Sequence, residues 1–377
     1  MTFKSSPGLV LELATADGTM ANPYSLDMGS NRFNTVLVNR STSGPADYSL
    51  GTLKLGASTM TFHRGSNISG SAVLRFSTLD LSAGNNDRPV ILNGNATLRI
   101  GNAAILSNTS ISKRLQLDGT ATDNTLGPLA NGPGAGILSV IKAGSGTWTL
   151  TGANTHTGTT TVQAGSLVLE TPTLPDAAAV SIQSSAALHL AFAGTDIIGS
   201  LILNGTTQSA GTWGSLTSSA AKRSALITGP GTLTILPASY IAWANANGLP
   251  ASATARALAS DPDQDGIANC LEWALGGHPM QNSTQSLPKL TPAAGGRVFS
   301  FTRDPAFRAS VPLSADWSTD LLVWQRIPIG ATSSGPNSDG ISVTITPVVG
   351  SPDQVVLTIP NGTTTGNLYL RLAAEIP

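Results

Sequence analysis

Short alternations of apolar and polar residues, separated by Gly and Asn, run from the start of the chain to about residue 236. Representative segments are residues 52–55, 96–100, 148–150, 166–169 and 187–190. Each segment predicts a strand of about four residues with one apolar face, and helical periodicity is almost absent between them. The larger part of the chain is therefore predicted to be β-structure.

The spacing of these strands indicates stacked coils. Many strands begin with Gly, a small residue and then an apolar residue, and Leu167 and Leu188 are 21 residues apart. Leu53 and Leu98 are 45 residues apart, so the two spacings approximate one and two turns of a solenoid with about 20 to 25 residues per coil. The alternative is a β-sandwich of independent hairpins. The recurring Gly-led strand entries and the scarcity of Asn-Gly turns favour the solenoid.

The pattern changes at Pro237. Residues 240–246 and 251–259 are rich in Ala with apolar residues at helical spacing, which predicts two short helices. Strand patterns return at 298–301, 321–324, 341–345, 355–359 and 368–372 and predict an antiparallel β-sandwich. The fold class is thus mainly β, with a parallel β-helix over 1–236, a helical segment over 237–284 and a β-sandwich over 285–377.

Composition excludes several classes of function. Charged residues make up 11% of the chain, roughly half the usual share, and 20 Lys and Arg nearly balance 21 Asp and Glu. No basic excess attracts nucleic acid, and no apolar run of about 18 residues predicts a transmembrane span. Cys270 is the only cysteine, so no intrachain disulfide forms. No secretory signal is expected at Met1 to Ser5, and a start within strand-like sequence suggests a piece of a longer protein.

The strongest chemical signal is a twelve-residue segment, Asp261 to Glu272, that reads D-P-D-Q-D-G-I-A-N-C-L-E. It satisfies the D-x-D-x-D-G-x5-E pattern of an EF-hand calcium loop, in which alternate carboxylates converge on a hard cation and Gly266 permits a sharp turn. The alternative is a solvated acidic turn that caps the following helix. The predicted Ca²⁺ ligands are Asp261, Asp263, Asp265, the carbonyl group of Ile267, Asn269 directly or through water, and the bidentate Glu272.

Residues 134–169 resemble the autotransporter-associated β-strand repeat of bacterial passenger domains. The features that match are Lys142, Gly144-Ser145-Gly146-Thr147, Leu150, Gly152-Ala153-Asn154, Thr157-Gly158, Thr160-Thr161-Val162 and Ala164-Gly165-Ser166-Leu167. His156 stands where the family usually has Tyr. The resemblance implies a right-handed parallel β-helix, export from the cytoplasm, and an extracellular or outer-membrane-associated location.

The acidic loop with the following residues 272–279 resembles the dockerin-like or thrombospondin type 3-like segment in secreted proteins of Verrucomicrobia-type bacteria. In those proteins a sandwich with a Ser-x-Asp-Leu-x-x-Trp element commonly follows, and residues 318–324 match that element. The resemblance implies one structural calcium site that is followed by the predicted sandwich.

Other candidate chemistry is sparse. Asn85, Asn86, Asp87 and Arg88 form the nearest approach to a catalytic cluster, but a polar corner loop explains them as well. The histidines His63, His156, His189 and His278 show no metal-ligand spacing. Trp148 and Trp213 offer either a stacking platform for sugars or ordinary packing. Trp243 and Trp273 are expected to pack together beside the acidic loop, and Trp317 and Trp324 in the sandwich core.

The sequence favours a non-enzymatic surface or secreted protein, structural or adhesin-like, with a solenoid spacer and one structural calcium site. A glycan-binding module is the second hypothesis, and a polysaccharide lyase or hydrolase is the third, because parallel β-helices also carry those activities. Surface glycans or other cell-surface components are the candidate partners.

Overall fold

The computed structural model describes residues 10–21, 24–27, 34–55, 59–83, 90–104, 110–250, 253–348, 351–362 and 367–374. The chain divides into two compact units, Met1–Ile235 and Leu236–Pro377.

Short strands build the first unit. They are β1 (Val10–Leu13), β2 (Thr19–Ala21), β3 (Leu26–Asp27), β4 (Asn34–Val38), β5 (Gly44–Lys54), β6 (Thr59–Arg64), β7 (Ile68–Asp80), β8 (Val90–Asn93), β9 (Thr97–Ala104), β10 (Lys113–Gly119), β11 (Asn124–Leu126), β12 (Leu129–Ala130), β13 (Leu138–Lys142), β14 (Thr147–Leu150), β15 (Thr160–Val162), β16 (Gly165–Leu169), β17 (Ala179–Ile182), β18 (Ala186–Leu190), β19 (Thr195–Ile198), β20 (Ser200–Leu203), β21 (Thr206–Thr207), β22 (Gly211–Gly214), β23 (Lys222–Arg223), β24 (Ile227–Thr228) and β25 (Thr232–Ile235).

The strands form two long sheets that confirm the predicted parallel solenoid. One sheet has the order β1-β4-β6-β8-β10-β13-β15-β17-β20-β21, and the other has the order β2-β5-β7-β9-β11-β14-β16-β18-β24. Every neighbouring pair is parallel except the closing pair of β20 and β21. Consecutive strands of one sheet come from successive coils, so like faces stack and their apolar side chains form one continuous core.

The coil length is not constant along the solenoid. Paired positions are 24 residues apart between β11 and β14, but 19 apart between β14 and β16 and 21 apart between β16 and β18. Leu167 lies opposite Leu188, as the sequence spacing predicts. Leu53 and Leu98 also have the predicted separation, but they do not stack, because Leu53 lies opposite Leu79 and Leu98 lies opposite Leu74. The two leucines are two coils apart but belong to different core columns.

Asparagine side chains link successive coils at the corners. Asn124 accepts a hydrogen bond from the Leu98 main chain (3.1 Å) and donates to the Thr147 carbonyl group (3.0 Å), so it spans three coils. Asn131 accepts from the main-chain nitrogens of Leu138 (2.9 Å) and Thr157 (3.1 Å). These bonds satisfy main-chain groups that corners remove from the strand ladders.

An additional sheet closes the far end of the solenoid. It has the order β19-β25-β22-β23, in which β22 and β25 are antiparallel. Antiparallel pairing reverses the chain and ends the parallel stacking at this side of the unit.

The second unit combines helices with two antiparallel sheets. Its helices are α1 (Ala238–Ala246), α2 (Ala253–Arg256), α3 (Asn269–Leu275) and α4 (Pro305–Arg308), with a 3-10 helix over Thr284–Ser286; its strands are β26 (Lys289–Ala293), β27 (Gly296–Arg303), β28 (Leu313–Ser318), β29 (Gln325–Ile329), β30 (Ser342–Val348), β31 (Ser351–Pro360) and β32 (Tyr369–Ala374). The sheet orders are β26-β27-β31-β30 and β29-β28-β32.

A buried ion pair joins two neighbouring strands of one antiparallel sheet, and its arginine also reaches the other sheet. The Arg303 guanidinium contacts Asp353 Oδ2 at 3.0 Å, and both side chains are almost fully buried. Arg303 also donates to the carbonyl oxygen of Gly330, directly after β29, at 2.7 Å. One residue of β27 is thereby bonded to the end of a strand in the other sheet.

The strand predicted at 321–324 is a turn. Asp320 Oδ1 accepts hydrogen bonds from the main-chain nitrogens of Leu322 (2.8 Å) and Val323 (2.9 Å), and Leu321 has φ +63°. A carboxylate that takes up two successive amide groups favours a turn over a strand. Trp324 is not in the core, contrary to expectation, and Arg371 lies over its ring at 4.0 Å.

Candidate metal centre

The acidic loop connects α2 to α3, and hydrogen bonds from its main chain to its own aspartate side chains bend it into a turn. The main-chain nitrogen of Gly266 donates to Asp261 Oδ2 (2.9 Å), and that of Ile267 donates to Asp265 Oδ1 (2.8 Å). Gly266 has φ +90°, a conformation that glycine adopts without strain. The sequence pattern thus folds locally into a ring in which aspartates face inward.

Three carboxylates converge inside this ring. Asp261, Asp263 and Asp265 each place one oxygen so that all three oxygens lie within 4.8 Å of one another. Asp261 Oδ1 and Asp263 Oδ2 are buried without a hydrogen-bond partner among the described residues. Burial raises the pKa of Asp263, and the charges of Asp261 and Asp265 raise it further. The group could hold a hard cation, which prefers oxygen ligands.

Glu272 lies next to the three aspartates in the first turns of α3. Its side chain is 1% exposed, and neither carboxylate oxygen has a hydrogen-bond partner among the described residues. Burial raises the pKa of Glu272 to about 7, and the charges of all three aspartates add to that rise. A buried carboxylate with two unsatisfied oxygens costs free energy unless a proton or a cation compensates it.

The structure places the two remaining predicted ligands near the ring without assigning them to it. The Asn269 side chain is fully buried, and its amide nitrogen donates to the carbonyl oxygens of Ala255 (2.8 Å) and Ala257 (3.0 Å). Asn269 Oδ1 has no partner among the described residues. The Ile267 side chain is 4% exposed and belongs to the local core. Asn269 therefore ties α3 to the α2 region, and ligation by Asn269 and Ile267 stays a prediction.

Ser283 is a residue of this centre that sequence reasoning missed. Its main-chain nitrogen donates to Asp265 Oδ2 at 2.6 Å, from 18 positions further along the chain. The Ser283 hydroxyl lies close enough to lower the pKa of Glu272. The proton of that hydroxyl is directed to the carbonyl oxygens of Gln281 (3.1 Å) and His278 (3.4 Å), so we do not assign it to the carboxylate.

Cys270 lies inside the loop segment but faces the core. Its side chain is 2% exposed, and burial raises the pKa of the thiol to about 12. The thiolate that a metal needs is therefore strongly disfavoured. The side-chain atoms that converge in the loop are carboxylate oxygens, which suit a hard cation.

A cluster of aromatic side chains packs α3 against α1 and α4. The rings of Trp273 and Trp243 both contact Tyr240, with centroid distances of 5.3 Å and 5.6 Å. The expected packing of the two tryptophans is thus mediated by Tyr240. Phe307 of α4 packs edge-on against Trp273 at 4.9 Å, so α3 is held against both neighbouring helices.

Of the other candidate residues, those that the structure describes do not assemble into a site. Trp148 is 1% exposed in the solenoid core, which agrees with ordinary packing, the favoured of the two alternatives, and excludes it from a stacking platform for sugars. His156 is buried at a corner, and neither ring nitrogen has a hydrogen-bond partner among the described residues. The cluster of Asn85, Asn86, Asp87 and Arg88 lies outside the described residues, as do Met1 to Ser5. Among the residues described, no helix is both long and apolar enough to span a bilayer.

Comparison with known proteins identifies one segment. Residues 140–169, from within β13 to the end of β16, match the family model of the passenger-associated-transport-repeat. No curated protein and no solved structure matches the chain. Within the matched segment, paired positions of successive coils are 19 to 20 residues apart. Its place in a parallel β-solenoid fits an autotransporter passenger repeat.

Proposed function

We propose that the chain belongs to an extracytoplasmic passenger-type protein with a non-enzymatic, structural or adhesin-like role at the cell surface. The observation that carries this proposal is the passenger-associated repeat at residues 140–169, embedded in a solenoid of parallel stacked strands. Each coil of such a solenoid contacts mainly its neighbours, so length is gained by adding coils without a larger core. This architecture suits a spacer that presents other modules away from a surface.

We further propose that the second unit holds one structural Ca²⁺ ion. Three converging aspartates and the buried, unpartnered Glu272 support this assignment, because a divalent cation would neutralise carboxylates that otherwise repel one another. The predicted ligands are Asp261, Asp263, Asp265, Ile267, Asn269 and Glu272, arranged as in an EF-hand loop. The ion would tie the loop to α3 and so stabilise the aromatic cluster behind it.

The affinity expected of such an isolated site is low, on the order of 0.1 to 1 mM, as in extracellular calcium modules. At 10 mM Ca²⁺ the stabilisation of the folded state would then be about 1.5 to 3 kcal/mol. For a unit of this size we expect a rise of about 5 to 10 °C in the melting temperature.

Calorimetry of the full chain in calcium and in chelator tests the assignment. Terbium provides a second readout, since Trp273, adjacent to Glu272, can sensitise its luminescence. Glu272→Gln should abolish both the thermal shift and the terbium signal. Glu170→Gln, at an exposed position of the solenoid, should change neither. Equal melting temperatures of the wild type in calcium and in chelator would reject the site.

A further inference from the structure

The calcium loop is joined to a segment that follows α3, residues 277–283, here named the closing segment. This inference rests on the proposed calcium function. Asp265 is held from two sides: Oδ1 accepts from Ile267 inside the loop (2.8 Å), and Oδ2 accepts from the Ser283 main-chain nitrogen (2.6 Å). The carboxylate plane of Asp265 is thereby determined by both the loop and the closing segment.

The closing segment has a defined turn of its own. Gly276 ends α3 with φ +73°, and the main-chain nitrogen of Gly277 donates to the Glu272 carbonyl group at 2.7 Å. His278 and Gln281 then form an antiparallel bridge. The His278 main-chain nitrogen donates to Ser283 Oγ at 2.8 Å, so the serine hydroxyl closes the turn. These contacts return the chain to the acidic loop.

Close packing places the closing segment directly against Glu272. A Cβ atom at Gly277 would lie 2.9 Å from Ser283 Oγ and 3.3 Å from Glu272 Cα. Ser283 itself is 2% exposed. Any side chain at position 277 would push the closing segment away from Asp265 and Glu272.

We propose that the closing segment is an integral part of the calcium site and takes the place of a second, paired loop. The Ser283 main-chain amide is a positioning group that orients Asp265, and the Ser283 hydroxyl holds this amide in place. Because the amide is bonded to a ligand, binding of Ca²⁺ also orders the segment that leads into β26. Calcium thus couples the loop to the start of the antiparallel sheets.

Calcium titrations of the full chain, with terbium as a second probe, test this proposal in three variants. Positioning groups of this kind typically change metal affinity 10- to 100-fold. We expect the Kd for Ca²⁺ to rise about 10-fold in Gly277→Ala and several-fold in Ser283→Ala. Gln285→Ala, at an exposed position two residues beyond Ser283, should bind like the wild type. A purely structural role would lower the melting temperature in chelator and leave the Kd unchanged.

Hydrogen exchange of the wild type provides a test that no variant can confound by misfolding. Calcium should slow exchange of the main-chain amide of Ser283, although this residue is not a ligand. Unchanged exchange at residues 277–283 on binding, or wild-type affinity in both Gly277→Ala and Ser283→Ala, would overturn the role of the closing segment and leave the calcium site intact. Absence of calcium binding in the wild type would overturn both.

Discussion

Lys142 is the most informative position in the solenoid, because a charged side chain occupies an apolar core column. It pairs with Leu117 on one side and Val162 on the other, and its side chain is fully buried. Its ammonium group donates to the carbonyl oxygens of Ala143 (2.6 Å), Gly144 (2.8 Å) and Ala164 (3.0 Å). Lys142→Met retains a long side chain in the column and removes the three donors.

Two opposing contributions determine the effect of this change. Burial lowers the pKa of Lys142 to about 8, so the charge is disfavoured in the core, although the ammonium form still predominates at pH 7. Methionine removes the buried charge, but it also leaves three carbonyl oxygens without this donor, and each buried group that loses its partner costs about 1 to 3 kcal/mol. We expect the loss of the three donors to outweigh the relief of the charge. We expect Lys142→Met to lower the free energy of unfolding by about 2 to 4 kcal/mol.

Native-state hydrogen exchange in β13–β16 measures this loss locally, independently of the second unit. A loss of 2 kcal/mol accelerates exchange about 30-fold where opening is reversible. Leu117→Met, in the same core column, is the matched control and should cost less than about 1.5 kcal/mol. A Lys142→Met protein as stable as the wild type would refute the reasoning, because the buried charge would then be no better than an apolar side chain.

Two further predictions concern corners and close contacts in the solenoid. Burial lowers the pKa of His156 from 6.5 to about 4. The free energy of unfolding should therefore be highest above pH 6.5 and fall by about 3 kcal/mol as the pH decreases to 4. Urea titrations should show this pH dependence in the wild type and not in His156→Phe. Gly127→Ala would place a Cβ atom 1.3 Å from the Gly101 carbonyl oxygen, so we expect a loss above about 4 kcal/mol. Gly335→Ala, with no atom within 4 Å, should leave the thermal melt seen by circular dichroism unchanged.

Local patterns predicted the solenoid well, whereas the register between coils depended on loops. The alternation in residues 166–169 and 187–190 reports a strand that buries one face, and stacking follows because such a strand needs neighbours. The spacing of Leu53 and Leu98 predicted the two coils between them but not their core columns, because coil length varies along the chain. The strand predicted at residues 321–324 is a turn because the side chain of Asp320 competes with strand pairing for main-chain amides.

In the candidate metal centre, too, contacts within one turn of the chain could be predicted from the sequence, whereas a contact from a distant residue could not. Asp261, Asp263 and Asp265 converge because a single turn brings alternate residues together, which a motif can express. Ser283 contributes through its main-chain nitrogen from 18 residues away, and any residue except proline carries that group. No pattern of residue types identifies such a contact. For Trp148 the sequence offered both packing and sugar stacking, and the neighbouring coils decide for packing because they bury the ring.

The last turn of the solenoid differs from the others because additional strands lie between its two paired strands. Leu188 of β18 lies opposite Ile227 of β24, which is 39 residues further along, and strands β19 to β23 are formed within that interval. The closing strand cannot leave its partner without disturbing the sheet that seals the end. Earlier coils can open one at a time, but this terminus should melt as a single cooperative block, so the fraying that weakens ordinary stacks at their ends is suppressed here.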